Sequence, residues 1–322
     1  MTMAQIEERY GQGGIIDFDE AYGVLGAITD DTQMTLFTAE GLIRAAVRGR
    51  LRGVCDPPSV VHHAYLRWRA TQDNSPNPAV GVKLDGRLVG DRRLWRQRAP
   101  GLTCLGALRQ NTVLGNPATN DSKGCGTVMR DAPWGLAHTD PQRAFEDAAT
   151  AARTTHGHPT AAYASGALAA IIVLLVQGES LPDAVNVVVN EQLRTSDAFE
   201  VRGCLQLALA LSETVDWHAR LGEIGDGWVA EEALGIAVLC ALGGEHSEAA
   251  IVAAVNHSGD SDSTGAICGN LVGVMRGVHG LPSRWLDKLE LRDVIERIAA
   301  DLTASVARDF DAETYSRDYP GS

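Results

Sequence analysis

The sequence predicts an all-α fold: a single compact domain of about a dozen helices. Apolar residues recur at spacings of three and four along most of the 322 residues. No segment alternates apolar and polar residues with the period of two that marks a half-buried strand. Short breakers such as Gly178-Glu179-Ser180 and Gly243-Gly244 separate the helical patterns, and no linker-like stretch divides the chain. With 45% hydrophobic and 21% charged residues, the balance is that of a globular protein long enough to bury a sizeable core.

Residues 1–28, glycine-rich around Gly11-Gln12-Gly13-Gly14, read as a loop after a short helix. From Gln33 to Arg50 the residues Met34, Leu36, Phe37, Leu42, Ile43, Ala46 and Val47 keep helical spacing. Pro57-Pro58 starts a second long helix through about Thr71, since proline is tolerated in a first turn. The polar stretch Asp73 to Pro78 is a loop. Helical patterns follow at about 99–110, 127–137, 142–155, 160–177, 180–194, 197–212, 229–242, 247–256, 264–278 and 290–308. The domain is expected over 1–311, with a frayed polar tail over 312–322. One helix stands out, because Gly265, Gly269, Gly273 and Gly277 share a face. Each interior glycine costs roughly 0.5–1 kcal/mol relative to alanine, so close approach of another helix is expected there.

A net charge of −13 argues against a nucleic-acid or anionic-membrane surface, which needs a basic face. It leaves room for a small phosphate-bearing ligand, whose charge metal ions and backbone amides can offset. Cysteines 55, 104, 125, 204, 240 and 268 form no C-x-x-C pair, so neither a zinc site nor a disulfide framework is indicated. Met1 to Tyr10 is too polar for a signal peptide, and the longest apolar run, Ala167 to Val176, is too short to span a bilayer. A cytoplasmic protein with reduced thiols is expected.

The chemistry lies in two acidic clusters far apart in sequence, Thr29-Asp30-Asp31-Thr32 and Asp260-Ser261-Asp262-Ser263-Thr264. Brought together, four carboxylates and several hydroxyls make the all-oxygen ligand set that Mg²⁺ prefers, and two such ions side by side form a catalytic clamp. An EF-hand reading of the second cluster fails, because its twelfth position is Leu271 where a bidentate Glu is required. A helix cap explains one aspartate at a time but not four. A third motif, Asn120-Asp121-Ser122-Lys123-Gly124-Cys125-Gly126, leads into Thr127-Val128-Met129-Arg130. Gly-Cys-Gly ahead of a helix lets backbone N–H groups approach an anion. His156 and His158 sit at a break between two helices, where a side chain can reach into a cleft.

In order and at plausible separations, four stretches resemble the ADP-ribosylglycohydrolase family, which includes the dinitrogenase-reductase-activating-glycohydrolase-like ADP-ribosyl-acceptor hydrolases. They are Thr29-Asp30-Asp31-Thr32-Gln33-Met34, Ser122 to Arg130, Thr155-His156, and Gly259 to Thr264. The resemblance covers roughly residues 5 to 310. It implies an all-α fold around a binuclear Mg²⁺ cleft, with Mn²⁺ or Ca²⁺ as substitutes. Thr29, Asp30, Asp31, Asp260, Asp262 and Ser263 would bind the metals. Ser122, Lys123, Gly124, Cys125, Gly126 and His156 would hold the diphosphate of ADP-ribose. Glu232 matches an acidic family position near the distal ribose.

The activity so implied is hydrolysis of the glycosidic bond between ADP-ribose and a modified protein or small-molecule acceptor, through an oxocarbenium-like state. The metals would orient the sugar and activate a water, and Asp31, Asp260 or Asp262 would take its proton. Relatives open with a glycine-rich helix like Gly-Asp-Ala-Leu-Gly and then a glutamate near the metals, whereas this sequence starts at Met1-Thr2-Met3-Ala4-Gln5. Without that element, exposed apolar surface is expected to lower stability, to promote a homodimer, or to leave ADP-ribose binding with little hydrolysis. The rival expectation is therefore a non-catalytic ADP-ribose binder or structural protein on the same fold.

Overall fold

Thr2 opens the first helix: its hydroxyl accepts from the Gln5 amide while the Gln5 side chain accepts from the Thr2 amide, a capping box. This computed structural model describes residues 1–75 and 81–321. Its helices of eight residues or more are α1 (Met3–Tyr10), α2 (Asp30–Arg52), α3 (Pro57–Gln72), α4 (Leu102–Gln110), α5 (Pro141–Ala152) and α6 (Pro159–Val176). They continue with α7 (Leu181–Glu191), α8 (Phe199–Ser212), α9 (Ala230–Gly243), α10 (Ser247–Val255), α11 (Ser261–Arg276) and α12 (Arg292–Ser305). The expected loop at 73–78 is described only to Ser75, and its remainder lies outside the described residues.

Local punctuation explains most boundaries. Asp56, Asp140 and Ser180 each accept a first-turn amide, and proline follows each of them within two residues. Gly53 closes α2 in the left-handed region at φ 73°. Between α1 and α2 a minimal hairpin pairs Glu20–Ala21 with Val24–Leu25 across Tyr22-Gly23, both at positive φ. The helix expected over 127–137 is broken in two, a 3₁₀ turn at Val128–Arg130 and a short helix at Ala132–Ala137. Pro133, which has no amide to donate, marks the restart.

The core has two lobes. One gathers α6, α7, α8, α9 and α11 around Leu168, Ile171, Leu234, Val238 and Leu271. The other gathers α2, α3 and α12 around Phe37, Ile43, Tyr65, Trp68 and Ile298. Val128 belongs to the first lobe and its neighbour Met129 to the second, so the 3₁₀ turn sits at the seam. α6 is apolar and, at 18 residues, long enough to cross a membrane by composition, but it is 78% buried, as a core helix is.

Two expectations are corrected. The segment from 312 is docked rather than frayed: Tyr319 is 1% exposed with its hydroxyl on Asp301, and Pro320 O accepts from Arg44. On α11, close approach occurs at Gly265 alone, where an added Cβ would meet Val255 at 2.7 Å; Gly269, Gly273 and Gly277 face open space. His62 and His63 are buried on α3, and burial lowers each pKa to about 4.

Candidate functional site

Both acidic motifs begin helices, and the fold brings these two helix starts together. Thr29 precedes α2 and its hydroxyl donates to Asp31 Oδ2 at 3.0 Å. The Asp30 amide donates to Arg98 O (2.8 Å) and Asp30 Oδ2 accepts from Gly101 N (3.1 Å), so the 98–101 turn orients this carboxylate. Asp260 precedes α11 and its amide donates to Asp226 O at 2.9 Å. Oxygens of Asp30, Asp31 and Asp262 all lie within 4.8 Å of one another, with Asp30 and Asp31 buried and Asp262 exposed. The Asp260 carboxyl adjoins that of Asp262.

Electrostatics make this a strained group. Burial, reinforced by Asp262, pushes Asp30 up to about 7 against the opposing Gly101 amide. Burial and the neighbouring Asp262 also push Asp260 up to about 7. Asp31 is raised well above the carboxylate range, first by burial and then by Asp262, Asp30 and Asp260. Asp31 Oδ1 is buried with no hydrogen-bond partner among the described residues. An orphaned acceptor among closely spaced carboxylates fits a hard divalent cation, which supplies the missing counter-charge and accepts oxygen ligands. Ser263, the remaining ligand implied by resemblance, is buried with its hydroxyl toward Met129 Sδ at 3.7 Å.

The third motif stands beside this group, joined to it by the Cys125 thiol, which donates to Asp260 Oδ2 at 2.7 Å. Ser122 Oγ accepts from Gly124 N at 3.3 Å, tightening the turn. A Cβ on Gly124 would lie 3.4 Å from His156 Nε2, and one on Gly126 would lie 3.3 Å from His156 Cε1. The imidazole therefore packs on the bare side of both glycines. Burial first, then Arg130, lowers the His156 pKa to about 3, so the ring is neutral. Its Nδ1 pairs with Thr155 Oγ1 (2.9 Å), which also accepts from Arg130 Nη2 (2.7 Å). A cleft of about 360 Å³ lined by Thr103, Gln110, Asn116 and Asn120 reaches the turn at Ser122.

Two residues implied as substrate ligands have other partners. The Lys123 ammonium is held by Glu200 at 2.7 Å and by Glu231. Glu232 Oε2 accepts from the Asp226 and Gly227 amides, at 3.1 Å each, so this carboxylate clamps a loop. The Cys125 amide, expected to face an anion, donates instead to Trp228 O at 3.1 Å. Sequence reasoning did not single out the 225–230 segment or Arg130 as site elements. Gly225-Asp226-Gly227 just before a helix was the available signal for the first, because two glycines around an aspartate mark a tight backbone approach.

Fold and site together define an all-α protein with a group of carboxylates, two of them buried, at the meeting of two helix starts, beside a glycine turn. The model of the ADP-ribosylglycohydrolase family matches residues 1–312, and the chain belongs to that family. A solved structure described as an ADP-ribosylglycohydrolase-related protein complex matches with a TM-score of 0.65 at 26% identity, over 88% of this chain and 83% of that one. Similar sequences include the ADP-ribosylarginine hydrolase Tri1 of Serratia proteamaculans, 27% identical over 86% of this chain and 67% of the relative. The ADP-ribosyl-[dinitrogen reductase] glycohydrolase of Rhodospirillum rubrum is 25% identical over 91% and 84%. An uncharacterized protein of Archaeoglobus fulgidus is 29% identical over 55% of this chain and 57% of its own length, so the match spans little more than half of that relative. The family and both named relatives are ADP-ribosyl hydrolases.

Proposed function

We propose that this chain is a Mg²⁺-dependent hydrolase that cleaves the glycosidic bond between ADP-ribose and a modified acceptor, releasing ADP-ribose. The observation that carries this reading is the convergence of Asp30, Asp31 and Asp262 within 4.8 Å, with Asp31 Oδ1 left unpartnered. Thr29, Asp30, Asp31, Asp260, Asp262 and Ser263 are the residues that would hold two ions, with Ser263 turning its hydroxyl away from Met129. Bound there, the ions would supply Lewis acidity toward the ribose hydroxyls and a water. A carboxylate among Asp31, Asp260 and Asp262 would take a proton from the attacking water. Gly124 and Gly126 leave backbone room for the diphosphate, and His156 presents Nε2 to the same turn without adding charge. Six unpaired cysteines support a reducing compartment, and we place the protein in the cytoplasm.

The test is product analysis after incubation with ADP-ribosylated acceptors, with and without Mg²⁺. The panel includes ADP-ribosylarginine, because one relative is named for it. Free ADP-ribose appearing only with the metal is the expected result. AMP with ribose phosphate would instead identify a diphosphate hydrolase, and binding without turnover would identify a non-catalytic ADP-ribose binder.

A further inference from the structure

One segment, Gly225–Ala230, touches both halves of the site. Toward the glycine turn, Trp228 O accepts from Cys125 N (3.1 Å), Ala230 N donates to Lys123 O (2.8 Å), and Val229 pairs with Gly124 in an antiparallel bridge. Toward the acidic group, Asp226 O accepts the Asp260 amide at 2.9 Å. That approach depends on Gly259, at φ 121°, where a Cβ would stand 1.9 Å from Asp226 O. The segment is thus a backbone splice between the turn and a metal-site carboxylate.

Residues 225–227 of this splice lie outside regular secondary structure, and two of them, Gly225 (φ 143°) and Gly227 (φ 77°), take conformations that favour glycine. A ladder does not hold them; one side chain does. Glu232, in the first turn of α9, accepts from Asp226 N and Gly227 N through the same oxygen. Gly225 is bare where a Cβ would meet the Glu232 carboxyl carbon at 2.2 Å. A carboxylate taking two backbone N–H groups is a strong, charge-assisted clamp.

We infer that Glu232 is a positioning residue: it locks the 225–227 turn and, through Asp226 O, sets where Asp260 stands relative to the 122–126 turn. This rests on the reading of Asp260 as a metal ligand. Groups hydrogen-bonded directly to a metal ligand typically change metal affinity by about 10–100-fold when removed, and Glu232 acts one backbone link further out, so an effect at the lower end of that range is expected. A ribose ligand at Glu232 would instead leave metal binding untouched.

The experiment is Mn²⁺ binding, followed by calorimetry and by the electron paramagnetic resonance signal of free Mn²⁺, for the unaltered chain, Glu232→Ala and Glu232→Gln. Circular dichroism checks that each is folded. Glu232→Ala is expected to weaken Mn²⁺ binding about 10-fold. Glu232→Gln, whose amide oxygen can accept the same two N–H groups, should keep most of the affinity. Should Glu232→Ala fail to fold, Gly225→Ala places a methyl group in the clamp and is expected to weaken binding likewise. Unchanged Mn²⁺ affinity in a folded clamp variant, with or without a lower thermal midpoint, overturns the inference. So does a Gln variant as impaired as the Ala variant, since charge rather than acceptance would then matter. If the unaltered chain binds no Mn²⁺, the metal reading itself falls and this inference falls with it, a result distinct from either of the others.

Discussion

Helix α2 contributes buried charged side chains to two groups, one balanced in charge and the other not. Midway along it, Glu40 Oε1 accepts from Arg44 Nε (3.0 Å) and Nη2 (2.9 Å), and Arg44 Nη1 donates to Asp85 at 2.8 Å. Buried Arg67 lies within the field of the same groups, so two guanidiniums stand against two carboxylates. Glu40 Oε2 and two Arg67 nitrogens make no hydrogen bond among the described residues, yet the charges cancel in number. At the start of the same helix, Asp30 and Asp31 meet Asp262 and Asp260, four groups of one sign. Arg130 is the cation acting on Asp30, and it is committed to Thr155 and to the Tyr65 ring at 4.1 Å. Burying like charges without compensation is costly. The balanced group therefore reads as scaffold, and the unbalanced group as a place for a counter-charge from outside.

The comparison can be broken most forcefully at Asp262. Asp262→Asn should lower turnover by about 10³-fold or more, a loss of several kcal/mol of charge stabilisation, while helicity persists. Retained turnover in that variant would falsify the acidic group as the reaction centre. Arg44→Ala should do the reverse. Removing one partner of a buried pair costs about 3–5 kcal/mol in urea unfolding, with Mn²⁺ affinity unchanged in the folded fraction. If metal affinity drops with stability, the two groups are not independent.

The pH dependence sharpens the contrast further. Well below pH 3.8, Asp30, Asp31 and Asp260 are protonated in both states and contribute no slope. Between about 4 and 7 the unfolded chain ionises while folded Asp30 and Asp260, held near 7, keep their protons, so metal-free stability falls as pH rises. Saturating Mg²⁺ should flatten this fall and raise the thermal midpoint more at pH 7.5 than at pH 5; an equal rise at both would count against the counter-charge argument. The smallest effect is expected far from the site. Tyr319→Phe removes a buried hydroxyl from Asp301 and should cost about 1 kcal/mol, read as a shifted urea midpoint with unchanged activity.

The helix pattern from Gln33 to Arg50 was legible because a buried helix face is a local, periodic signal, and α2 contains it. The same periodicity shows that Gly265, Gly269, Gly273 and Gly277 share a face, but not what that face meets, and most of it meets open space. The polar residues of 312–322 suggested fraying. The bonds that dock this segment come from Arg44 and Arg48, at separations of 276 and 273 residues, and from Asp301, 18 residues before Tyr319. Composition carries no information about partners at that distance.

The chemistry divides along the same line. Residue types and motif order were enough to mark Asp30, Asp31, Asp260 and Asp262 as oxygen donors, because what a carboxylate can bind is a property of the side chain. Which groups remain available is a property of the packing. Only the folded chain puts Asp31 Oδ1 in a buried position with no partner, ties Lys123 to Glu200 and Glu231, and turns Glu232 onto two backbone amides. A sequence specifies what each side chain can do, whereas hydrogen bonds saturate, and their allocation among competing partners is settled by distances that exist only once α2, α9 and α11 have come together.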